Sequence, residues 1–304
     1  MSMPMETIIN QESEDRSRKT EIKSPKSEIS VETLADFGFY WREKKGVKVL
    51  VCRALEDKGF ANGFSTRLGG VSAFPENSLN LAGFDEDAPE NIFENRKRFL
   101  QTFEKDFILA TAWQVHGDAV KFVNNLNQAR DGNGRFDALV SNLENILVGV
   151  KTADCVPVLI GDAETKSFAA IHAGWRGTVQ SIVVETIEKM RREFGTKPQN
   201  LICAIGAAAT CKNYEIGQEV IDAFRANFPD SKNLFTPTRD RHALVDLHLA
   251  NKEQLISTGV APENIFVAPF CTIERTDLFF SYRKEKKSYG KTGRLLSVIG
   301  LKDN

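Results

Sequence analysis

Short apolar runs recur along most of this chain, and segments with helical spacing stand between them. Apolar runs of this length are typical of buried strands, and apolar side chains repeating every three to four residues indicate amphipathic helices. Strands mixed with helices in this way predict mixed sheets covered by helices. The predicted strands are 47–52, 60–65, 108–115, 119–123, 146–150, 156–160, 168–172, 201–205, 265–268, 278–282 and 295–301, and the predicted helices are 89–103, 178–194, 217–228 and 244–255.

The first thirty residues differ from the rest of the chain. They are polar and charged with almost no aromatic side chains, so we predict a disordered tail over 1–30. No apolar segment there matches a signal peptide, and no apolar run reaches the length of a membrane span. A short charged run at 284–287 lacks interleaved aromatic residues and is predicted to be a solvated loop.

The net charge and the cysteine content disfavour some classes of protein. The formal net charge of −1 does not favour binding to nucleic acid or to an acidic membrane surface. The five cysteines have no regular spacing, so they do not predict a disulfide framework. We therefore expect a cytoplasmic protein, in which His and Cys residues more often bind metal or react than form cross-links.

Three scarce side chains, His116, Cys155 and His172, each follow or interrupt an apolar run. They are too far apart for a local zinc-finger pattern, so only the fold could collect them. Three nitrogen and sulfur ligands would leave one open position on a tetrahedral zinc ion, and the thiolate favours Zn²⁺ or Cu(I) over Mg²⁺ or Ca²⁺. Such a metal would activate a bound water near neutral pH.

Two other interpretations of these residues stay open from the sequence. Cys155 and His172 could form a nucleophile and base pair without metal. A lone buried Cys or His can also be purely structural.

Two arginines and one aspartate are further candidates for the site. Arg67 and Arg176 lie in glycine-bounded loops, where a guanidinium can approach a phosphate or carboxylate closely, although each could also be a surface residue or a structural ion pair. Asp154 precedes Cys155 and could be a general base, a residue that supports a metal ligand, or a turn residue.

Several motifs occur in an order that is similar to the YfiH-like family, also called the laccase-domain or multicopper polyphenol oxidoreductase family, which includes the peptidoglycan editing factor group. The motifs are GFSTRLGGVS at 63–72, NL at 80–81, QVHG at 114–117, TADCVP at 152–157, HAGWRG at 172–177, YEIG at 214–217, LFFSYR at 278–283 and TGR at 292–294. The resemblance implies one α+β domain over 35–302, in which two packed mixed sheets are flanked by helices in α/β/β/α layers.

The same resemblance implies a zinc site at His116, Cys155 and His172. It implies a small-molecule enzyme that uses phosphate to cleave adenosine, inosine and S-methyl-5′-thioadenosine and that also deaminates adenosine. In that reaction Arg67 and Arg176 would hold phosphate, while Asp154, Cys155 and His172 would take part in the chemistry.

Alternative functions follow from the same resemblance. The first is an amidase that removes a misincorporated serine from a UDP-muramoyl cell-wall precursor. The second is polyphenol oxidation with copper, but a multicopper centre needs far more imidazoles than the four histidines of this chain can supply. A non-catalytic, zinc-stabilised protein is a third possibility, although structural zinc sites usually have four protein ligands. The sequence does not determine the oligomeric state.

Overall fold

The computed structural model describes residues 31–74, 76–83, 87–228 and 231–302. The predicted disordered tail, 1–30, lies outside the described residues. The helices within these ranges are α1 (Val31–Asp36), α2 (Arg53–Asp57), α3 (Pro89–Leu100), α4 (Leu126–Arg130), α5 (Trp175–Val179), α6 (Ile182–Phe194), α7 (Gln218–Asn227), α8 (Leu247–Ser257) and α9 (Tyr282–Tyr289). None of these helices combines the length and the apolar character that crossing a membrane requires.

Fifteen strands form three sheets in the described part of the chain. They are β1 (Phe39–Lys44), β2 (Val47–Cys52), β3 (Phe60–Ser65), β4 (Ile108–Ala110), β5 (Val120–Phe122), β6 (Ala138–Ser141), β7 (Ile146–Thr152), β8 (Val156–Asp162), β9 (Ser167–Ala173), β10 (Leu201–Ile205), β11 (Glu215–Gly217), β12 (Phe235–Pro237), β13 (His242–Val245), β14 (Ile265–Val267) and β15 (Leu295–Leu301).

The two large sheets are both mixed and have six strands each. The first has the order β1-β2-β3-β15-β7-β4, in which only the β4–β7 pair is parallel. The second has the order β14-β10-β8-β9-β6-β5, with parallel pairs at both edges. A small antiparallel sheet, β11-β13-β12, stands beside them.

Three hydrophobic clusters show how the layers pack. One contains Phe64 and Val148 of the first sheet together with Leu159 and Phe168 of the second, so it fills the space between the sheets. Another joins the outer face of the second sheet to α6, α7 and α8, and the last joins the outer face of the first sheet to α3. The α/β/β/α arrangement with two mixed sheets is therefore confirmed.

Strands buried on both faces explain why continuous apolar runs located the core well. Every residue of β3, β8, β9 and β15 is buried. The predicted strands 47–52, 60–65, 201–205 and 295–301 match the observed strands at both ends.

Some predicted elements were wrong or misplaced. The segment 278–282 is not a strand, because the carbonyls of Leu278 and Phe279 accept hydrogen bonds from Arg67 while Phe279 and Phe280 are buried in the core. The charged run 284–287 lies in α9 and is not a loop, since the Ser281 hydroxyl accepts a hydrogen bond from the Lys284 amide and caps this helix.

Two predicted helices have different bounds in the structure. In 178–194, Ser181 adopts a left-handed backbone conformation with φ of 62°, which separates the short α5 from α6. In 244–255, the first two residues belong to β13, and α8 starts only after Asp246, whose carboxylate accepts a hydrogen bond from the Leu249 amide.

The chain crosses from the first sheet to the second at two places that are important for the site. One crossing follows β4 and leads to β5, and the other is the short turn from β7 to β8. His116 lies on the first crossing, and Asp154 and Cys155 lie on the second.

Candidate metal centre

The structure brings together the three predicted ligands. The side-chain donor atoms of His116, Cys155 and His172 all lie within 4.8 Å of one another. His172 comes from β9, where it pairs across the sheet with Pro157, two residues beyond Cys155. His116 lies on the neighbouring crossing, in a left-handed backbone conformation with φ of 62°. A nitrogen and sulfur donor set of this kind fits zinc or another soft divalent ion.

A buried carboxylate, Asp137, orients two of these ligands. Asp137 is completely buried, and its Oδ1 lies 2.8 Å from Nδ1 of His172. The same carboxylate accepts hydrogen bonds from the backbone amides of Val115, His116 and Gly117 at 3.2, 2.9 and 2.8 Å. Asp137 therefore fixes the His116 loop and leaves Nε2 of His172 for the cluster, which is the usual way in which a metal-binding histidine is oriented.

A second contact holds the His116 loop on the first sheet. The side chain of Gln114 donates to the carbonyl of Lys151 and accepts from its amide, both at 2.7 Å. Lys151 belongs to β7, so the loop that bears His116 is joined to the strand that leads to Cys155.

The charges of the cluster favour a deprotonated thiol. Burial raises the pKa of the Cys155 thiol, but His172 and His116 outweigh it and lower this pKa to about 6. Burial lowers the pKa of His172, but the Cys155 thiolate and Asp137 outweigh it and raise this pKa to about 9. Without metal, the cluster near pH 7 thus holds a thiolate beside an imidazolium.

Gly174 keeps the space above the cluster open. A Cβ atom at this position would lie 3.1 Å from Cδ2 of His116 and 3.2 Å from Sγ of Cys155. It would also lie 3.8 Å from Cε1 of His172, so any larger side chain here would press on all three ligands. The glycine in the HAGWRG segment is therefore explained by close approach to the cluster.

The cluster opens into a cleft of about 580 Å³. Among the described residues, four aromatic side chains line it, which are Trp113, Trp175, Tyr214 and Tyr282. The described lining also has four basic side chains, Lys151, Arg176, Arg283 and Arg294, and one acidic side chain, Asp154. Flat ring faces and an excess of positive charge suit a planar heterocycle and an anionic group.

Arg67 does not lie among the residues that line this cleft. Its guanidinium is buried, pairs with Glu285 at 2.8 Å and donates to the carbonyl of Thr276 at 2.6 Å. It also lies over the ring of Phe280, with 4.5 Å from Cζ to the ring centroid. The structure thus places Arg67 in a buried ion pair outside the cleft lining, and its role in holding phosphate stays a prediction.

Arg176 and Asp154 both line the cleft, but their surroundings differ. Arg176 is exposed, and its guanidinium stacks on Trp175 with 4.2 Å from Cζ to the ring centroid. Asp154 is buried, and its two carboxylate oxygens accept hydrogen bonds from the Thr272 hydroxyl and the Arg283 amide, both at 2.6 Å. Burial raises the pKa of Asp154.

Sequence reasoning missed Asp137, and it assigned no role to Tyr214, Arg283 or Arg294. Asp137 stands alone before a short strand in a chain with many acidic residues, so no local signal marked it. Tyr214, Arg283 and Arg294 belong to YEIG, LFFSYR and TGR, three of the motifs that are similar to the YfiH-like family. The order of these motifs along the chain was the signal that could have identified the three residues.

The fold and the site together define a class of protein: a two-sheet α+β protein with a His/His/Cys group that opens into an aromatic and basic cleft. The family model described as multi-copper polyphenol oxidoreductase laccase matches residues 61–302, and the chain belongs to this family.

Named relatives and solved structures agree with this membership. Purine nucleoside phosphorylase YfiH of Shigella flexneri is 36% identical over 254 residues, covering 84% of this chain and 99% of that protein. A purine nucleoside phosphorylase of Staphylococcus aureus (strain COL) is 34% identical over 268 residues, covering 84% and 97%.

The crystal structure of hypothetical protein YfiH from Bacillus licheniformis superposes with a TM-score of 0.79 at 28% identity, covering 86% of this chain and 99% of that one. YlmD from Geobacillus stearothermophilus gives a TM-score of 0.78 at 29% identity, covering 86% and 98%.

Proposed function

We propose that this protein is a zinc-dependent purine nucleoside enzyme. It would use phosphate to cleave adenosine, inosine and S-methyl-5′-thioadenosine, and it would deaminate adenosine. The observation that carries the proposal is the His116, Cys155 and His172 group, which opens into a cleft with both aromatic and basic walls. The relatives named as purine nucleoside phosphorylases support the same substrate class.

His116, Cys155 and His172 would hold the metal, and their donor set suits zinc. When bound, zinc supplies Lewis acidity and lowers the pKa of water. Asp137 keeps Nε2 of His172 directed at the group through the bond to Nδ1, and the low pKa of Cys155 provides the thiolate that a metal requires.

Trp175, Tyr282 and Arg176 would bind and orient the nucleoside. Trp175 and Tyr282 offer ring faces on which a purine can stack. Arg176 carries a positive charge into the same cleft, held against Trp175, and we propose that it binds substrate. Both oxygens of Asp154 are engaged by neighbouring donors, which favours a supporting role at the cleft wall over direct proton transfer.

The test uses purified, zinc-loaded protein with adenosine in the presence and absence of phosphate. We expect adenine and ribose 1-phosphate only with phosphate, and inosine from deamination under both conditions. Cys155→Ser should lose the zinc and both activities, whereas Cys211→Ser, a partly exposed thiol outside the cleft lining, should keep them. Full activity in zinc-free Cys155→Ser would overturn the proposal.

Two other activities are outcomes of the same assay. Hydrolysis of a UDP-muramoyl-serine analogue without nucleoside turnover would support the amidase. Copper-dependent oxidation of a phenol would support the oxidase, although the described residues contain one His/Cys group of this kind and a multicopper centre needs more. All five cysteines are free thiols, which agrees with the cytoplasmic location that we propose.

A further inference from the structure

Arg67 lies in a buried ion pair outside the cleft lining, so the cleft itself offers other basic side chains for the anion of the proposed phosphorolysis. One of them is Arg283, whose backbone is fixed beside the group formed by His116, Cys155 and His172. Its amide donates to Asp154 at 2.6 Å, and Asp154 is the residue before Cys155. The start of α9 is thereby held in place relative to the cluster.

The guanidinium of Arg283 is fixed as well. Nη1 donates to the backbone carbonyl of Glu215 at 2.8 Å, and Cζ lies 4.8 Å from the centroid of the Tyr214 ring. The Glu215 carboxylate does not neutralise this charge, since it is engaged by Arg239 at 2.9 Å and by Thr238 at 2.8 Å. Within the described ranges no carboxylate forms an ion pair with Arg283.

Tyr214 lines the cleft beside this guanidinium. Burial, with a contribution from the negative charge of Cys155, raises the pKa of its phenol to about 12. The hydroxyl therefore stays protonated near neutral pH. The guanidinium has five N–H donors, of which one on Nη1 is used by the Glu215 carbonyl, so the guanidinium and the phenol together have donors left for an anion.

We propose that Arg283 and Tyr214 form the subsite for the anionic co-substrate, inorganic phosphate. The inference rests on the proposed phosphorolysis and adds the residues that bind its second substrate. Arg283 donates to phosphate oxygens from a guanidinium that is already held in position, so little conformational freedom is lost on binding. Tyr214 adds one hydroxyl donor beside the guanidinium. Arg176, stacked on Trp175, is left for the nucleoside.

Steady-state kinetics with each substrate varied in turn test the assignment. Arg283→Gln should raise the KM for phosphate about 10- to 100-fold, because a hydrogen bond to a charged group contributes about 1.5–3 kcal/mol. The KM for the nucleoside should change little. Tyr214→Phe keeps the ring under the guanidinium and should raise the KM for phosphate by a smaller factor. The zinc content and the urea unfolding curve of each variant report whether the fold and the metal-binding group are intact.

Arg225→Gln is the matched control, since it removes an arginine from the exposed face of α7, outside the cleft lining, and should leave both KM values unchanged. An unchanged KM for phosphate in Arg283→Gln, or an equal rise in the KM for the nucleoside, would overturn the subsite.

Calorimetric titration with inorganic phosphate separates this inference from the proposed function. It is carried out on the zinc-loaded protein and repeated without metal, so that phosphate bound to the metal is recognised. Phosphate binding that Arg283→Gln abolishes in both forms, without nucleoside cleavage by the wild type, would keep the subsite and refute the phosphorolysis. Absence of phosphate binding to the wild type would refute the subsite itself.

Discussion

Replacing Asp137 with Asn should weaken metal binding more than any other single change outside the three ligands. The carboxylate accepts four hydrogen bonds in a fully buried position, three from backbone amides of the His116 loop and one from Nδ1 of His172. An amide group has only one acceptor oxygen. Whichever way it is oriented, its NH₂ group faces donors that the carboxylate had satisfied.

Each orientation of the side-chain amide introduced by Asp137→Asn has a definite cost. With the oxygen at the Oδ1 position, the backbone amides of Val115 and Gly117 face the NH₂ group and lose their acceptor. With the side-chain amide reversed, the NH₂ group faces Nδ1 of His172 and favours the tautomer that carries its proton on Nε2, which cannot bind metal. Two lost hydrogen bonds to a charged group amount to roughly 3–6 kcal/mol.

We expect the metal-free Asp137→Asn variant to be less stable by this amount, and its zinc affinity to fall about 10- to 100-fold. Urea denaturation with a chelator present measures the first quantity, and competition with a chromophoric chelator measures the second. Asp162→Asn is the control, because Asp162 is equally buried and accepts backbone amides at the opposite end of β8. Wild-type zinc affinity in folded Asp137→Asn, or an equal loss of zinc affinity in Asp162→Asn, would contradict this role of Asp137.

Three further outcomes are expected. Near pH 7.5 the metal-free cluster holds the Cys155 thiolate and the His172 imidazolium, so zinc binding should release the proton of His172, about one proton per zinc. Calorimetry in buffers of different ionisation enthalpy measures this, and zero release at pH 7.5 would contradict it. Gly174→Ala should weaken zinc binding in chelator competition, whereas Gly132→Ala, with no heavy atom closer than 4.0 Å to the added Cβ, should not. Arg67→Gln should reduce the free energy of unfolding, measured in urea, by about 3–5 kcal/mol, because the buried Glu285 carboxylate loses its partner. The zinc affinity of the folded variant should stay unchanged, and a loss of zinc affinity would show that Arg67 acts at the site.

The core was predictable because strands that are buried on both faces are apolar along most of their length. Strands such as β2 and β15 are mostly apolar, and their ends coincide with the predicted ends. The run 278–282 has the same composition, but its carbonyls accept hydrogen bonds from Arg67 instead of a neighbouring strand. The composition of a segment indicates that the segment is buried, but it does not indicate which groups form hydrogen bonds with its backbone.

The site residues that belong to rare residue types could be predicted from the sequence, and those that belong to common types could not. Two of only four histidines and one of five cysteines were enough to suggest the cluster. Asp137 and Arg283 belong to common residue types, and their roles depend on contacts with segments remote in sequence. Arg67 shows that a local setting typical of anion binding does not identify the partner, because its guanidinium pairs with a buried carboxylate of the protein, Glu285.

The position of the cluster at two crossings between the sheets determines which parts of the chain a bound metal would connect. His116 and Cys155 each lie where the chain leaves the first sheet and enters the second, and His172 belongs to β9 of the second sheet. A metal held by all three residues would therefore cross-link two connections that are remote in sequence. A ligand that binds only the folded protein stabilises it by an amount that grows with its affinity, so zinc should raise the urea concentration at the midpoint of unfolding, and a chelator should reverse the shift.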